Sequence, residues 1–110
     1  MNLHIETINE NIQTVLKLIG EIDVYTAPNL KEILLDLLSH SDAHVVVDMK
    51  NVSYMDSTGL GVFISALKKC QEKGSSFKII NLQERVYRLF DITGLKEVMT
   101  IEEISRGVNE

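Results

Sequence analysis

Two adjacent hydroxyl side chains, Ser57 and Thr58, are preceded by an acidic residue and followed by an apolar helical pattern. They belong to the segment YMDSTGLG at residues 54–61. A hydroxyl at the start of a helix can accept a phosphoryl group, because unpaired N–H groups and the helix dipole favour negative charge there. A Ser-Thr pair before a helix is also a common N-cap, which is a purely structural role. The segment alone leaves both interpretations open.

Two glycines, Gly59 and Gly61, follow the hydroxyls in the first turn of the expected helix. Glycine destabilises a helix by ~1 kcal/mol at each interior position, so a structural helix start has little use for two of them. Without side chains, these positions would let the backbone of another protein approach the hydroxyl closely. Asp56 makes the same surface acidic. These features allow Ser57 to be a phosphorylated residue on a partner-binding surface, with Thr58 as an adjacent substitute acceptor, but the local sequence leaves the purely structural N-cap open as well.

A second polar loop is expected at residues 20–26, and it contains Asp23, Tyr25 and Thr26. Ligands and partners of open α/β sheets meet the loops at the carboxyl ends of the strands, where both loops are expected to lie. Asp23, as an exposed loop residue, could contact a partner protein or orient a serine, and it could equally be a turn former. Thr26 could be only the N-cap of the next helix.

Residue types needed for catalysis or metal binding do not cluster in the sequence. His4, His40 and His44 lack a spacing that suits a metal on one element, and no histidine lies near either loop to activate a serine. The adjacent acidic pair of a receiver domain and a Walker-type glycine loop are both missing. Cys70 falls on an apolar helical stripe, as a core residue does. We therefore expect no enzymatic activity, no metal and no cofactor.

Strands and helices that would hold these loops are predicted from the hydrophobic pattern. Alternating or unbroken apolar runs predict strands at residues 3–8, 12–19, 45–47, 77–82 and 98–101. Apolar stripes at helical spacing predict helices at residues 27–38, 58–73 and 83–93. The side chains expected on their buried faces are Leu30, Ile33, Leu34, Leu37, Leu38, Leu60, Phe63, Ile64, Leu67, Cys70, Val86, Leu89 and Phe90. Gly20 suits the end of a strand, and the tail from residue 102 is weakly helical at best.

The predicted strands alternate with helices after an opening pair of strands. Such alternation implies crossover connections and a largely parallel sheet, while the opening hairpin adds an antiparallel edge. We therefore predict an α/β fold with a mixed, mostly parallel sheet of four or five strands and helices packed on it. A chain of 110 residues fits a single domain, spanning residues 1–110, and needs no disulfide to bury most of its apolar surface.

Composition and charge exclude several other classes of protein. The chain has 11 basic and 16 acidic side chains, a net charge of −5 and no basic stripe, so direct nucleic acid binding is not expected. Its first ten residues lack the basic start and apolar run of a signal peptide. No apolar stretch approaches the ~20 residues that cross a bilayer. The sequence therefore predicts a cytoplasmic protein that does not bind a membrane directly.

Three motifs occur in the order GEIDVYTAP at residues 20–28, VSYMDSTGLGVF at 52–63 and RLFDITGL at 88–95. With these motifs, essentially the whole chain resembles the STAS-domain anti-sigma factor antagonists of bacteria, most closely those of the general stress response. The resemblance implies that Ser57 is the phosphorylated serine of that family. It also implies that Asp56 is the acidic residue preceding it and that Asp23 is the acidic residue of the other loop.

The resemblance further implies a function by partner switching. The unmodified protein would bind an anti-sigma factor that is also a serine kinase, and a sigma factor would thereby be released. Phosphorylation of Ser57 with ATP would break this complex, and a metal-dependent serine phosphatase acting on phospho-Ser57 would restore the binding form. The residues expected at the partner interface are Asp23, Tyr25, Thr26, Asp56, Thr58, Gly59 and Gly61. The alternative is a STAS subunit of a larger sensory or transport assembly.

Overall fold

The computed structural model describes residues 2–102. The strands and helices occur in the order that the hydrophobic pattern predicts. The strands are β1 (Leu3–Glu10), β2 (Gln13–Ile22), β3 (His44–Met55), β4 (Ser76–Ile80) and β5 (Ile101–Glu102). The helices are α1 (Ala27–Leu38), α2 (Ser57–Lys73) and α3 (Glu84–Ile92), followed by a 3₁₀ helix at Leu95–Glu97. The expectation for the tail beyond residue 102 falls outside the described residues.

The five strands lie side by side in chain order, β1-β2-β3-β4-β5. β1 pairs with β2 in antiparallel orientation, and the other three neighbouring pairs are parallel. Asn11, in the turn between β1 and β2, has a φ of 48°, a left-handed conformation that asparagine tolerates better than most residues. The predicted mixed, mostly parallel sheet with an N-terminal hairpin is therefore confirmed.

The hydrophobic core lies between the sheet and the three helices. Its largest side chains include Phe63 of α2, whose ring centroid lies 6.2 Å from that of Phe77 in β4 and 5.8 Å from that of Phe90 in α3. Aromatic rings at these distances gain energy beyond the burial of their area. The unbroken apolar run at residues 45–47 is buried throughout, as predicted for a central strand. On α1 and α3, five of the side chains that were predicted to be buried are fully buried in the structure: Leu30, Leu34, Leu38, Val86 and Phe90.

Strand β2 does not end at Gly20, as predicted, but continues to Ile22. Gly20 has a φ of 129°, and a Cβ atom on it would collide with the carbonyl oxygen of Asn2. That same oxygen accepts a hydrogen bond of 2.9 Å from the N–H of Glu21. The glycine therefore permits a local irregularity and a close backbone approach inside the strand, instead of ending it.

Strand β3 is far longer than the predicted segment of residues 45–47, because it runs through to Met55. Its register against β2 shifts between the pairs Lys17–Asp48 and Ile19–Asn51, which places an extra residue in β3. Beyond the shift, buried and exposed residues of β3 no longer alternate one by one, so the sequence there lacks the pattern by which a strand is predicted. The boundaries of the other elements differ from the predicted ones by at most three residues, a normal uncertainty for element ends.

Helix α2 begins against the sheet through Gly59, which is buried. A Cβ atom on Gly59 would collide with the side chain of Met55 and would lie 3.0 Å from Cγ2 of Ile22. Gly61 differs, since it is exposed and a Cβ atom on it would meet no atom within 4 Å. The first glycine therefore permits close packing of α2 on the ends of β2 and β3, whereas the second leaves its surface open.

Alanine substitutions at the two glycines should have opposite effects on stability. Gly59→Ala forces Met55 and Ile22 apart, and we expect the free energy of unfolding to fall by about 1–3 kcal/mol. Gly61→Ala adds a methyl group in open space and improves helix propensity, so it should raise that free energy by about 0.5–1 kcal/mol. Urea unfolding of both variants measures the difference. Shifts in the same direction would contradict the packing described for Gly59.

Candidate functional site

The two loops singled out in the sequence lie next to each other, because β2 and β3 pair in parallel up to their last residues. Ile22 lies opposite Met55 in the register. One step further, the backbone N–H of Asp56 donates a hydrogen bond of 3.2 Å to the carbonyl oxygen of Ile22. The loop at residues 23–26 and the start of α2 therefore share the carboxyl edge of the sheet, where partners of α/β proteins bind.

Asp56 is the N-cap of α2, and the expectation that Ser57 or Thr58 fills this role is wrong. The Asp56 carboxylate accepts a hydrogen bond of 2.9 Å from the N–H of Thr58. The hydroxyl of Thr58 also donates to the same oxygen, Oδ1. Aspartate caps helices as well as serine does, so the sequence pattern alone could not separate the three residues.

Ser57 is the first residue of α2, and it is exposed to solvent. Within residues 2–102, the Ser57 hydroxyl makes no hydrogen bond to another side chain or to the backbone. Thr58 is half-buried. Of the two neighbouring hydroxyls, the one on Ser57 is therefore accessible and free, while the one on Thr58 is held inside the chain.

An exposed stripe runs down α2 from Ser57 through Gly61 and Ile64 to Lys68. These positions are spaced i, i+4, i+7 and i+11, so they lie on one face of the helix. Ile64 is 38% exposed, which contradicts its predicted place in the core, and Val62 and Ala66 are buried instead. The stripe therefore forms a small, partly apolar surface on α2 that continues from the Ser57 hydroxyl towards the carboxyl end of the helix.

Asp23 is buried, with 5% of its surface exposed, so its predicted exposure is wrong. Its carboxylate accepts hydrogen bonds from the N–H groups of Tyr25 at 2.9 Å and Thr26 at 3.0 Å. Such bonds form an Asx turn, the structural role that the sequence left open for this residue. Asp23 therefore shapes the loop from inside, and its carboxylate is largely shielded from solvent.

Thr26 precedes α1 at the N-cap position, but its side chain makes no capping bond. Its hydroxyl donates instead to the carbonyl oxygen of Glu21 at 2.9 Å and accepts from the N–H of Asp23 at 2.9 Å. Both bonds point back across the loop. Thr26 thus ties the end of β2 to the start of α1 and gives the loop a defined shape.

The hydrogen bonds of this loop also determine the charge of Asp23. Burial opposes its ionisation, but the N–H groups of Thr26 and Tyr25 stabilise the carboxylate. The net effect holds the pKa of Asp23 below its ordinary value. Asp23 therefore carries a negative charge at neutral pH, and that charge is neutralised locally by the backbone of its own loop.

Three apolar or aromatic side chains stand out of the same edge of the sheet, and we call them the edge patch: Val24, Tyr25 and Tyr54. Their exposed fractions are 59%, 84% and 42%. Tyr25 is a predicted site residue, but Val24 and Tyr54 were not singled out from the sequence. An isolated apolar residue in a loop gives no periodic signal. Only the structure shows that the three lie at the same edge as Ser57.

Outside this edge, the described residues contain neither a metal-binding cluster nor a reactive thiol. No group of three His, Cys, Asp or Glu side chains in residues 2–102 could hold a metal ion. Burial raises the pKa of the Cys70 thiol, which disfavours the reactive thiolate. Among the helices formed by these residues, none has the length and apolar character needed to cross a lipid bilayer.

Comparison with known proteins gives matches over nearly the whole chain. The family model for the STAS domain matches residues 3–109. The anti-sigma-B factor antagonist of Staphylococcus epidermidis is 47% identical over 103 residues, which cover 94% of this chain and 95% of that protein. The anti-sigma-B factor antagonist of Bacillus subtilis is 45% identical over 107 residues, and the match covers 97% of each chain.

Solved structures show the same fold at lower sequence identity. A putative anti-sigma factor antagonist from Thermotoga maritima has a TM-score of 0.83 at 22% identity, covering 90% of this chain and 86% of that one. Unphosphorylated SpoIIAA, an anti-sigma factor antagonist, has a TM-score of 0.70 at 13% identity, covering 96% and 90%. These structures support the architecture alone, while the family model and the curated relatives extend over nearly the full sequence. The chain therefore belongs to the STAS domain family.

Proposed function

We propose that this protein is an anti-sigma factor antagonist that works by partner switching. Its unmodified form binds an anti-sigma factor that is also a serine kinase, and a sigma factor is thereby released. Phosphorylation of Ser57 ends this binding, and a serine phosphatase that acts on phospho-Ser57 restores it. The likeness to relatives named anti-sigma-B factor antagonists over nearly their full length supports the function. The observation that carries the assignment of the site is the free, exposed hydroxyl of Ser57 at the start of α2.

The exposed edge around Ser57 is the surface that we assign to the kinase. The stripe on α2 supplies Gly61, where a partner backbone can approach, and the apolar side chain of Ile64. The edge patch adds the aromatic ring of Tyr25, which is 84% exposed. Exposed aromatic side chains beside small residues are typical anchors of protein interfaces. Binding is the only activity that this surface requires, so the protein itself needs no catalytic groups.

The remaining predicted interface residues support this surface from within. Asp23 and Thr26 hold the loop that presents Tyr25. Asp56 and Thr58 form the capped start of α2. At Gly59 a side chain would collide with Met55 and Ile22, so the glycine lets the start of α2 pack closely on the sheet. We therefore assign positioning roles to these residues and contact roles to Tyr25, Ser57 and Gly61.

The charge added at Ser57 explains how phosphorylation could end binding. The N–H of Thr58 already bonds to the Asp56 carboxylate, and the N–H of Gly59 bonds to the Asp56 carbonyl at 3.0 Å. A phosphate on Ser57 therefore finds few free N–H partners, and it adds about −1.5 to −2 charge beside Asp56. In the free protein, water screens the two groups from each other. Docking removes that water, so the complex loses stability while the fold is unchanged.

The energy available from this effect is large enough for a switch. Two unit charges about 4 Å apart repel by about 4 kcal/mol at an effective dielectric constant of about 20. Half of that energy weakens an affinity by more than about tenfold. Loss of close packing by the kinase backbone at the modified serine would add to it.

The alternative, a subunit of a larger sensory or transport assembly, has weaker support. A sulfate transporter family protein from Wolinella succinogenes shares the fold, with a TM-score of 0.72 over 90% of this chain and 82% of that one. Its 17% identity supports the architecture alone. The net charge of −5 also makes direct binding to nucleic acid or to an anionic membrane surface unfavourable. We assign the protein to the cytoplasm, where its kinase would obtain ATP.

Substitutions at Ser57 should separate folding from binding. Because Asp56 caps α2, Ser57→Ala should keep the wild-type Tm and kinase affinity and should lose phosphorylation. Ser57→Asp should also fold normally, but it should bind the kinase more weakly, with a smaller effect than a true phosphate. Calorimetry of unmodified, phosphorylated and variant protein, with and without the kinase, measures both properties. Melting of α2 on phosphorylation would contradict a switch that acts at the surface.

Truncation of Tyr25 should weaken the complex without affecting the fold. We expect Tyr25→Ser to reduce kinase affinity by about tenfold or more, as loss of an aromatic anchor does. Ile12→Ser is a matched control, because Ile12 is 83% exposed and lies in the hairpin turn, at the opposite end of β2 from Asp23. Titration calorimetry with the kinase compares them. Equal losses of affinity in both variants would argue against the edge patch as the docking surface.

Removal of the Asp23 carboxylate should destabilise the protein in a pH-dependent way. Asp23→Ala leaves the N–H groups of Tyr25 and Thr26 without their acceptor, so its Tm should be lower than that of the wild type at neutral pH. Because the folded-state pKa of Asp23 lies below the unfolded-state value, the ionised carboxylate stabilises the fold above about pH 4. This stabilisation fades as the pH falls through the lowered folded-state pKa.

The difference in Tm between wild type and Asp23→Ala should therefore stay constant from about pH 7 down to about pH 4 and shrink as the pH falls further. Asp36→Ala, which removes an exposed carboxylate on α1, provides the control and should show a smaller difference throughout. Thermal unfolding followed by circular dichroism gives these values. A difference for Asp23→Ala that is independent of pH would exclude the proposed stabilisation of the charged form.

A further inference from the structure

We propose that Asp56 selects the acceptor of the phosphoryl group. By holding the Thr58 hydroxyl in a hydrogen bond, it excludes Thr58 from phosphorylation and leaves Ser57 as the acceptor. This inference rests on the proposed function, and it assigns Asp56 a role beyond capping α2. Asp56 is in this sense a positioning residue, since it acts through Thr58 and not on the reacting serine.

The geometry of the helix start places the two hydroxyls in different environments. Both the N–H and the hydroxyl of Thr58 donate to Oδ1 of Asp56, so two contacts fix the orientation of the threonine side chain. Thr58 is also half-buried, whereas Ser57 is exposed. The two residues are neighbours in the chain, yet only Ser57 can rotate its hydroxyl towards a partner without breaking a bond.

The chemistry of the transfer makes this difference decisive. The serine oxygen forms a bond to the γ-phosphorus of ATP, and the bond from that phosphorus to the bridging oxygen breaks, with its electrons remaining on ADP. The hydroxyl proton passes to a base of the kinase. The attacking oxygen must lie in line with the leaving oxygen, which requires free orientation of the hydroxyl. Thr58 would first have to leave Asp56, which would also leave a half-buried carboxylate oxygen without this donor.

Two other interpretations of the same contact make different predictions. If Asp56 only capped the helix, its removal would lower stability and leave the choice of acceptor unchanged. If its carboxylate served as a general base for Thr58, the threonine would be the preferred acceptor while Asp56 is present. The identity of the phosphorylated residue therefore separates the three roles, and stability alone does not.

The test maps phosphorylation sites in the full chain with a serine kinase that is an anti-sigma factor and with MgATP. Peptide mass spectrometry should place phosphate on Ser57 in the wild type and nowhere in Ser57→Ala. The double variant Ser57→Ala with Asp56→Gly should carry phosphate on Thr58, because glycine is tolerated at the N-cap but cannot hold the hydroxyl. Ser57→Ala with Asp56→Asn keeps an oxygen acceptor and should remain unmodified.

The hydrogen bond itself has a signature that does not depend on the kinase. In the NMR spectrum, the Thr58 hydroxyl proton should exchange slowly with water in the wild type and in Asp56→Asn, and rapidly in Asp56→Gly. Rapid exchange in the wild type would overturn the inference. Circular dichroism of each variant shows whether it is folded before phosphorylation is compared.

Failure of the inference and failure of the proposed function give different results. Phosphate on Thr58 in Ser57→Ala, with Asp56 intact and Ser57 phosphorylated in the wild type, overturns the selection by Asp56 alone. The selection is also overturned if the double variant Ser57→Ala with Asp56→Gly folds and binds the kinase but carries no phosphate. Equal phosphorylation of this variant and of Ser57→Ala with Asp56→Asn would overturn it as well. A wild-type chain that such kinases bind but do not phosphorylate contradicts the proposed switch, and the selection proposed for Asp56 falls with it.

Discussion

The parallel pairing of β2 with β3 determines the rest of the candidate site, because it sets where both loops of that site leave the sheet. The pairing reaches Ile22 and Met55 and is extended by the hydrogen bond from the N–H of Asp56 to the Ile22 carbonyl. Both paired side chains also pack against Gly59 at the start of α2. A shift of one residue in this register would turn every side chain to the opposite face of the sheet. The position of Ser57 therefore depends on contacts made before the helix begins.

Much of the architecture could be predicted because apolar side chains repeat at the spacing of the element that buries them. Leu30, Leu34 and Leu38 follow such a spacing and are buried. The part of β3 that follows Asp48 could not be predicted, because the register shift there breaks the alternation of buried and exposed residues by which a strand is identified. Gly20 was assigned to the end of β2 because glycine commonly ends a strand, whereas here it allows close contact with Asn2. Irregular pairing leaves no periodic signal in a single sequence.

The candidate site was predictable in position but not in the role of each residue. A polar segment before an apolar stripe located the start of α2 to within one residue of its observed position. Three consecutive residues could each cap a helix, and only the hydrogen bonds identify Asp56 as the cap. The burial of Asp23 could not be predicted either, because an aspartate in a loop is normally exposed unless backbone N–H groups bond to its carboxylate. The sequence offered Asp23 as a turn former, but it did not show that the turn would bury the carboxylate.

The internal hydrogen bonds of Asp23 and Asp56 explain how a rigid site could act as the proposed switch. Each carboxylate is engaged by N–H groups of its own loop, so neither is free to move towards a partner or towards a new phosphate. A charge added at Ser57 therefore cannot be absorbed by rearrangement of the nearest groups. It must be accommodated by water, which the free protein provides and a docked complex excludes. The same bonds that shape the proposed binding surface would thus make it sensitive to a single modification.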